Sequence, residues 1–90
     1  MFNNYELFSL IINNESEKVD DFIQHNIIYI DKIRSYRDYM GDSFLHTASF
    51  FGKSHIVASL IKAGFDVNAL NHRGQTSLHQ TSDINVARIL

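Results

Sequence analysis

The sequence predicts an all-α protein, a solenoid of stacked helix–turn–helix units spread over 90 residues. Three observations carry that expectation. Gly41, Leu45 and His46 recur as Gly74, Leu78 and His79 at one constant interval, and self-similarity at a period of about 33 residues marks stacked repeats. Ile56, Val57, Leu60 and Ile61 stand at i, i+1, i+4 and i+5, the apolar stripe of a helix that buries one face. Gly52 and Gly64 follow the two helical segments of one unit, where a residue with positive φ stops a helix.

From about 3 to 37 the chain reads as a worn copy of that unit. Leu7, Leu10 and Asn14 stand for Leu45, Ala48 and Gly52, and Val19 and Phe22-Ile23 for Val57 and Leu60-Ile61, all at the same offset. Two helices are therefore expected, with Ser16 capping the second. Asn26 takes the slot of Gly64, which suits asparagine's tolerance of the left-handed conformation. Phe8 stands where the later copies have histidine. Twelve steps separate Asn26 from Asp38, against seven from Gly64 to Asn71, so five residues are inserted here. Ile27-Ile28-Tyr29-Ile30 is β-prone, and the expected product is a lengthened hairpin with Lys32 to Arg37 near its tip.

From about 38 to 70 the unit is complete. Gly41 to Leu45 is a turn feeding a short helix, and Ser43 offers the N-cap oxygen. Leu45, Ala48 and Ser49 share one face of that helix, which ends at Gly52. A second helix is expected from about Ser54 to Ala63, closed by Gly64, with Phe65 to Asn68 leading out as an extended arm. From about 71 to 90 the copy is shortened. Seven residues separate His79 from Val86, against eleven from His46 to Val57, a loss of about one helical turn. Val86 to Leu90 then aligns with Val57 to Ile61, so Ile89 and Leu90 fall at positions expected to be buried. An apolar end face of this kind implies a fragment of a longer repeat protein, the favoured reading, or a partner or self-association covering it.

Composition narrows the function classes. Hydrophobic residues at 44% and charged residues at 20% fit a soluble globular chain. A net charge of −2 supplies no field to recruit nucleic acid or an anionic membrane, and without cysteine there is no disulfide or thiolate metal site. No apolar run approaches the ~18 residues of a membrane span. Met1-Phe2-Asn3-Asn4-Tyr5-Glu6 lacks the positive start of a signal peptide, so a cytoplasmic location is expected. His46, His55, His72 and His79 present no paired ligands on one helix face, and neither a metal nor a cofactor is expected. Ser77, His79 and Asp83 supply the residue types of a catalytic triad, but the first two belong to a repeat turn, and no catalysis is expected.

The stretches M-G-D-S-F-L-H-T-A at 40–48 and R-G-Q-T-S-L-H-Q-T at 73–81 resemble the ankyrin motif G-x-T-P-L-H-x-A, with Phe44 and Ser77 in place of its proline. The central unit resembles the ankyrin repeat further at Gly52, Val57, Leu60, Gly64, Val67 and Asn68. The resemblance covers nearly the whole chain. It implies an ankyrin-repeat α-solenoid of helix–turn–helix pairs with β-hairpin-like loops, one domain over 1–90. The repeats would span about 3–37 (a degenerate N-terminal cap), 38–70 and 71–90. It also implies that His46 and His79 tie each turn to a neighbouring repeat.

By the same resemblance, function is the binding of a partner protein in a concave groove of hairpin tips and inner helices. The matching positions are Tyr39, Met40, Asp42, Thr47, Phe50 and Phe51, with His72, Arg73 and Gln75 as a polar extension in the third repeat. Phe51, just before Gly52, is equally placed to pack on a neighbouring helix. Read from the residues themselves, Lys32 to Tyr39 mixes Arg34, Tyr36, Arg37 and Tyr39 in one short segment, fit for a solvated tip, a protein contact or base stacking. Asp31, Asp38 and Asp42 disfavour nucleic acid. Aromatic residues, methionine and arginine are the types enriched at interface cores. Two classes follow: a stand-alone adaptor, inhibitor or toxin-neutralising immunity protein, or the recognition segment of a larger enzyme or a secreted bacterial or viral effector working in host cytosol.

Overall fold

Helices account for every regular element among the described residues, 3–90 of the chain in a computed structural model; the N-terminal expectation at Met1 and Phe2 lies outside them. The helices are α1 (Asn4–Ile12), α2 (Ser16–His25), α3 (Ile30–Ser35), α4 (Phe44–Phe50), α5 (Ser54–Lys62), α6 (Ser77–Gln80) and α7 (Ile84–Ile89). They lie in two rows. In one, α4 packs between α1 and α6; in the other, α5 packs between α2 and α7. Leu7, Leu45, Val57, Leu60 and Val86 are wholly buried between the rows, each worth about 1.5–3 kcal/mol of burial.

Local chemistry sets the helix ends. Asn3 caps α1 through Oδ1, which accepts from Tyr5 N at 2.8 Å. Asp83 caps α7, its Oδ1 accepting from Asn85 N and Val86 N at 2.8 and 3.1 Å. Ser43 caps α4 as expected, its Oγ accepting from His46 N at 3.3 Å. Ser16, by contrast, is the first residue of α2, and Glu15 precedes it without a side-chain cap bond. The left-handed position in the first unit is Asn14, at φ 57°, matching Gly52 at 68°. Asn26 is not left-handed: its φ is −115°, and its Nδ2 donates to Phe22 O at 2.8 Å. Gly64 ends a helix that turns away; Asn26 feeds one that keeps winding.

That continued winding is the main departure from expectation. Residues 27–29 form a 3-10 turn, with Tyr29 N donating to Asn26 O at 2.8 Å, and α3 follows directly. There is no strand here, nor anywhere among the described residues. A β-ribbon needs a partner edge for its amides, whereas a helix satisfies them within the segment. The helical period also puts Ile30, Ile33 and Tyr36 on the core side, with Ile33 wholly buried, while Asp31, Lys32 and Ser35 face water. Residues 65–69 likewise form no strand; Ala69 N bonds to Asp66 O at 3.3 Å, closing a turn.

The turns at 38–42 and 71–75 are the same object. Asp38 N donates to Asp42 O at 3.0 Å, and Asp38 Oδ1 accepts from Met40 N at 2.9 Å and Asp42 N at 3.0 Å. Asn71 N donates to Gln75 O at 3.0 Å, and Asn71 Oδ1 accepts from Arg73 N at 2.9 Å and Gln75 N at 3.0 Å. The turns dock on each other. His72 N donates to Met40 O at 3.0 Å, and Asn71 Nδ2 reaches Asp42 Oδ1 at 2.9 Å. Gly41 is needed twice over, for its φ of 81° and because a Cβ would meet His72 N at 2.7 Å.

Candidate aromatic groove

The rigid turn at 38–42 carries the candidate site. Its Asp38 bonds fix the backbone, and the short α4 begins immediately after it, so side chains from both converge on α1. Two adjoining hollows result, of about 380 and 270 Å3. The first is walled by Asn4, Tyr5 and Phe8 of α1, by Tyr36 and Tyr39, and by Phe44 and Thr47 of α4. The second runs from Tyr39 and Met40 past Asp42, Phe50 and Phe51 to Arg73 and Gln80. Phe8, Asp38, Tyr39 and Thr47 line both, so the hollows share a wall.

The aromatic side chains divide by burial. Tyr36 stacks on buried Phe44 with centroids 4.8 Å apart and planes 19° from parallel, which anchors the floor. Tyr39 is 89% exposed, Phe50 60% and Phe51 47%. Phe50 and Phe51 meet edge to face at 5.1 Å. Phe51 thus lines the groove rather than the core, because the end of α4 turns its ring onto Phe50. Met40, Asp42 and Thr47 are half-buried among them.

Four expected positions lie elsewhere or serve the scaffold. Arg34 is half-buried on α3, hydrogen-bonded to Ala63 O at 3.5 Å and paired with Asp31, so it fastens the inserted helix to the end of α5. Arg37 folds back onto Arg34 O at 3.2 Å and Tyr36 O at 2.9 Å. Helix α3 withdraws both guanidinium groups from the groove that a hairpin tip would have brought them to. Gln75 accepts from His46 through its backbone carbonyl, and exposed His72 covers Gly41; neither lines a hollow. Arg73 alone of the third-repeat set does.

The groove also contains residues that the repeat alignment passes over. Tyr5 and Phe8 belong to the worn first unit, where the only hint was an aromatic at the place of a histidine. Gln80 joins from α6. A larger hollow, about 550 Å3, lies in the other row between α2 and α5, and its Asp20, Gln24, Ser59 and Lys62 give it a polar wall without aromatics.

The remaining chemistry-bearing residues are separated. Ser77 is buried, His79 Nδ1 is bonded to Thr76, and Asp83 caps α7. Among the described residues no group of three or more His, Asp or Glu side chains is placed to hold a metal ion, and no helix is long and apolar enough to cross a membrane. Comparison of the sequence with models of known families and with curated proteins returns no match.

Proposed function

We propose that this chain is an ankyrin-type repeat solenoid that binds a partner protein through the aromatic groove between α1, the 38–42 turn and α4, with no chemistry of its own. The observation that carries the proposal is the cluster of Tyr39, Phe50 and Phe51, large apolar side chains left in water around two adjoining hollows. Rings of this kind gain most from desolvation by a partner, and they dominate interface hot spots. Because the turn and helix are held by their own hydrogen bonds, binding orders little backbone, which lowers the entropic cost of association. A cytoplasmic setting belongs to the same reading.

The two copies of one hydrogen-bonded turn, one repeat apart, support the ankyrin assignment. The test of function is affinity capture with the wild-type chain, Phe50→Ala and Tyr39→Ala. Either substitution should weaken a captured complex by about 1–3 kcal/mol while leaving the melting temperature nearly unchanged. A Phe50→Ala protein that loses stability and keeps its partner makes Phe50 a core residue and removes the site. Binding that weakens steeply with salt and needs RNA or DNA would replace the protein partner with nucleic acid.

A further inference from the structure

The two copies of the hydrogen-bonded turn differ at their first residue, and the difference leaves a charge in the groove. In the later copy that residue is Asn71. Its Oδ1 accepts from Arg73 N and Gln75 N, and its Nδ2 donates to Asp42 Oδ1 at 2.9 Å. In the earlier copy it is Asp38, whose Oδ1 takes the same two turn bonds, from Met40 N and Asp42 N. Its Oδ2 has no hydrogen-bond partner among the described residues, and neither of the ion pairs there includes it. The turn needs one side-chain oxygen, which the amide of Asn71 supplies equally well. The negative charge of Asp38 is therefore not required by the fold.

That charge lies at the first hollow, about 380 Å3, which Asp38 lines together with the rings of Tyr5, Phe8, Tyr36, Tyr39 and Phe44. Among the described residues no basic side chain lines it. Arg37, the chain neighbour of Asp38, is turned onto the carbonyls of Arg34 and Tyr36. Arg73 lines the second hollow and pairs with no carboxylate. Aromatic rings attract a cation over their faces, and a carboxylate adds a charge-assisted hydrogen bond. The start of α1 beside the hollow would favour an anion, but Asn3 already accepts from Tyr5 N, and Glu6 puts another negative charge in that turn. The chemistry of this hollow is that of a cation site.

We infer that the first hollow receives a lysine side chain of the partner protein, its ammonium on Asp38 Oδ2 and its stem across the rings. The inference rests on the groove being a protein-binding site and names what that site selects. Lysine fits better than arginine because Oδ1 is committed to the turn. One free oxygen suits a compact ammonium, whereas a guanidinium fork is matched by both oxygens of a carboxylate. The long apolar stem covers ring surface while the charged head reaches the carboxylate.

The first probe is Nα-acetyl-lysine amide, titrated into the wild-type chain and followed by NMR on the amides of Asp38, Tyr39 and Thr47. The control is the 2-aminoheptanoic acid counterpart, in which a methyl group replaces the ammonium. The lysine probe should bind about fivefold more tightly than the control. Asp38→Asn should abolish that preference while leaving the melting temperature unchanged, since asparagine holds the same turn at position 71. In a captured complex, Asp38→Asn should weaken affinity about tenfold. The inference is overturned if the neutral control binds as tightly, if the arginine counterpart binds more tightly, or if the lysine preference survives Asp38→Asn. An Asp38→Asn protein that keeps its partner where Phe50→Ala loses it also overturns the inference, and leaves the groove a protein-binding site. If neither substitution weakens capture, the groove is not the binding site and the inference falls with it.

Discussion

His46 uses both ring nitrogens to hold the start of α4 to the turn at 71–75. Nδ1 accepts from Ser43 N at 3.2 Å, which requires the neutral tautomer with its proton on Nε2, and Nε2 then donates to Gln75 O at 2.9 Å. The ring is 1% exposed, so removing it strands the buried Ser43 amide and breaks the bond to Gln75 O, which keeps only its bond from Asn71 N. His46→Ala is expected to cost about 2–3 kcal/mol in urea unfolding. His79, with the same cap but an exposed ring, should cost about 0.5–1 kcal/mol on the same substitution. Equal losses at the two positions would show that the cap, and not the bond between repeats, carries the energy. The same pair shows what the sequence can and cannot tell about a residue. The recurrence of both histidines in one turn motif was legible, because such a motif is written within a few residues. Their burial was not, because it depends on whether another element lies across from them.

At the scale of elements, α3 is the instructive case. Ile27 to Ile30 has the β-branched composition of a strand, and local propensity suggests a hairpin. The segment is helical because helical spacing buries Ile33 while Asp31 and Arg34 pair on the outside. Ile33→Ala should therefore cost about 2–5 kcal/mol, whereas Ile28, 82% exposed, should tolerate Gln within about 0.5 kcal/mol. A hairpin would make both substitutions similar, so thermal denaturation of the two variants separates the structures. The element also explains the misplaced cations. On a hairpin tip Arg34 and Arg37 would reach the groove; instead Arg34, on α3, meets Ala63 O, and Arg37, just past its end, bonds to the backbone of Arg34 and Tyr36. The groove residues legible from the repeat register, Tyr39, Met40, Thr47, Phe50 and Phe51, are those on the turn and α4, which kept the pattern. Tyr5 and Phe8 escaped it because the register sets them opposite Ser43 and His46, a cap and a turn histidine rather than groove residues.

The whole molecule is polar along its stack. One end carries Glu6, Lys18, Asp21 and His25 around Leu10 and Phe22, and the other exposes Leu78, Ile84 and Ile89. Leu45 and Leu78 hold the same place in the repeat, yet the first is wholly buried and the second 52% exposed. Leu45→Ala should lower stability by about 2–5 kcal/mol, and Leu78→Ala by less than about 1 kcal/mol, in chemical denaturation. If Leu78→Ala proves as costly as Leu45→Ala, the end face is already covered in solution.

The sequence by itself determined the helix pairs, the capped turn at Ser43 and the positive-φ positions at Gly52 and Gly64. Each of these rests on hydrogen bonds and steric limits acting within a few residues, and such information is written locally. The tertiary structure alone decided that residues 27–35 wind inward, that Arg34 fastens α3 to α5, that Tyr5 and Phe8 complete the groove, and that identical leucines meet different fates. Those outcomes depend on the area buried against a neighbour, and a neighbour is a property of the fold.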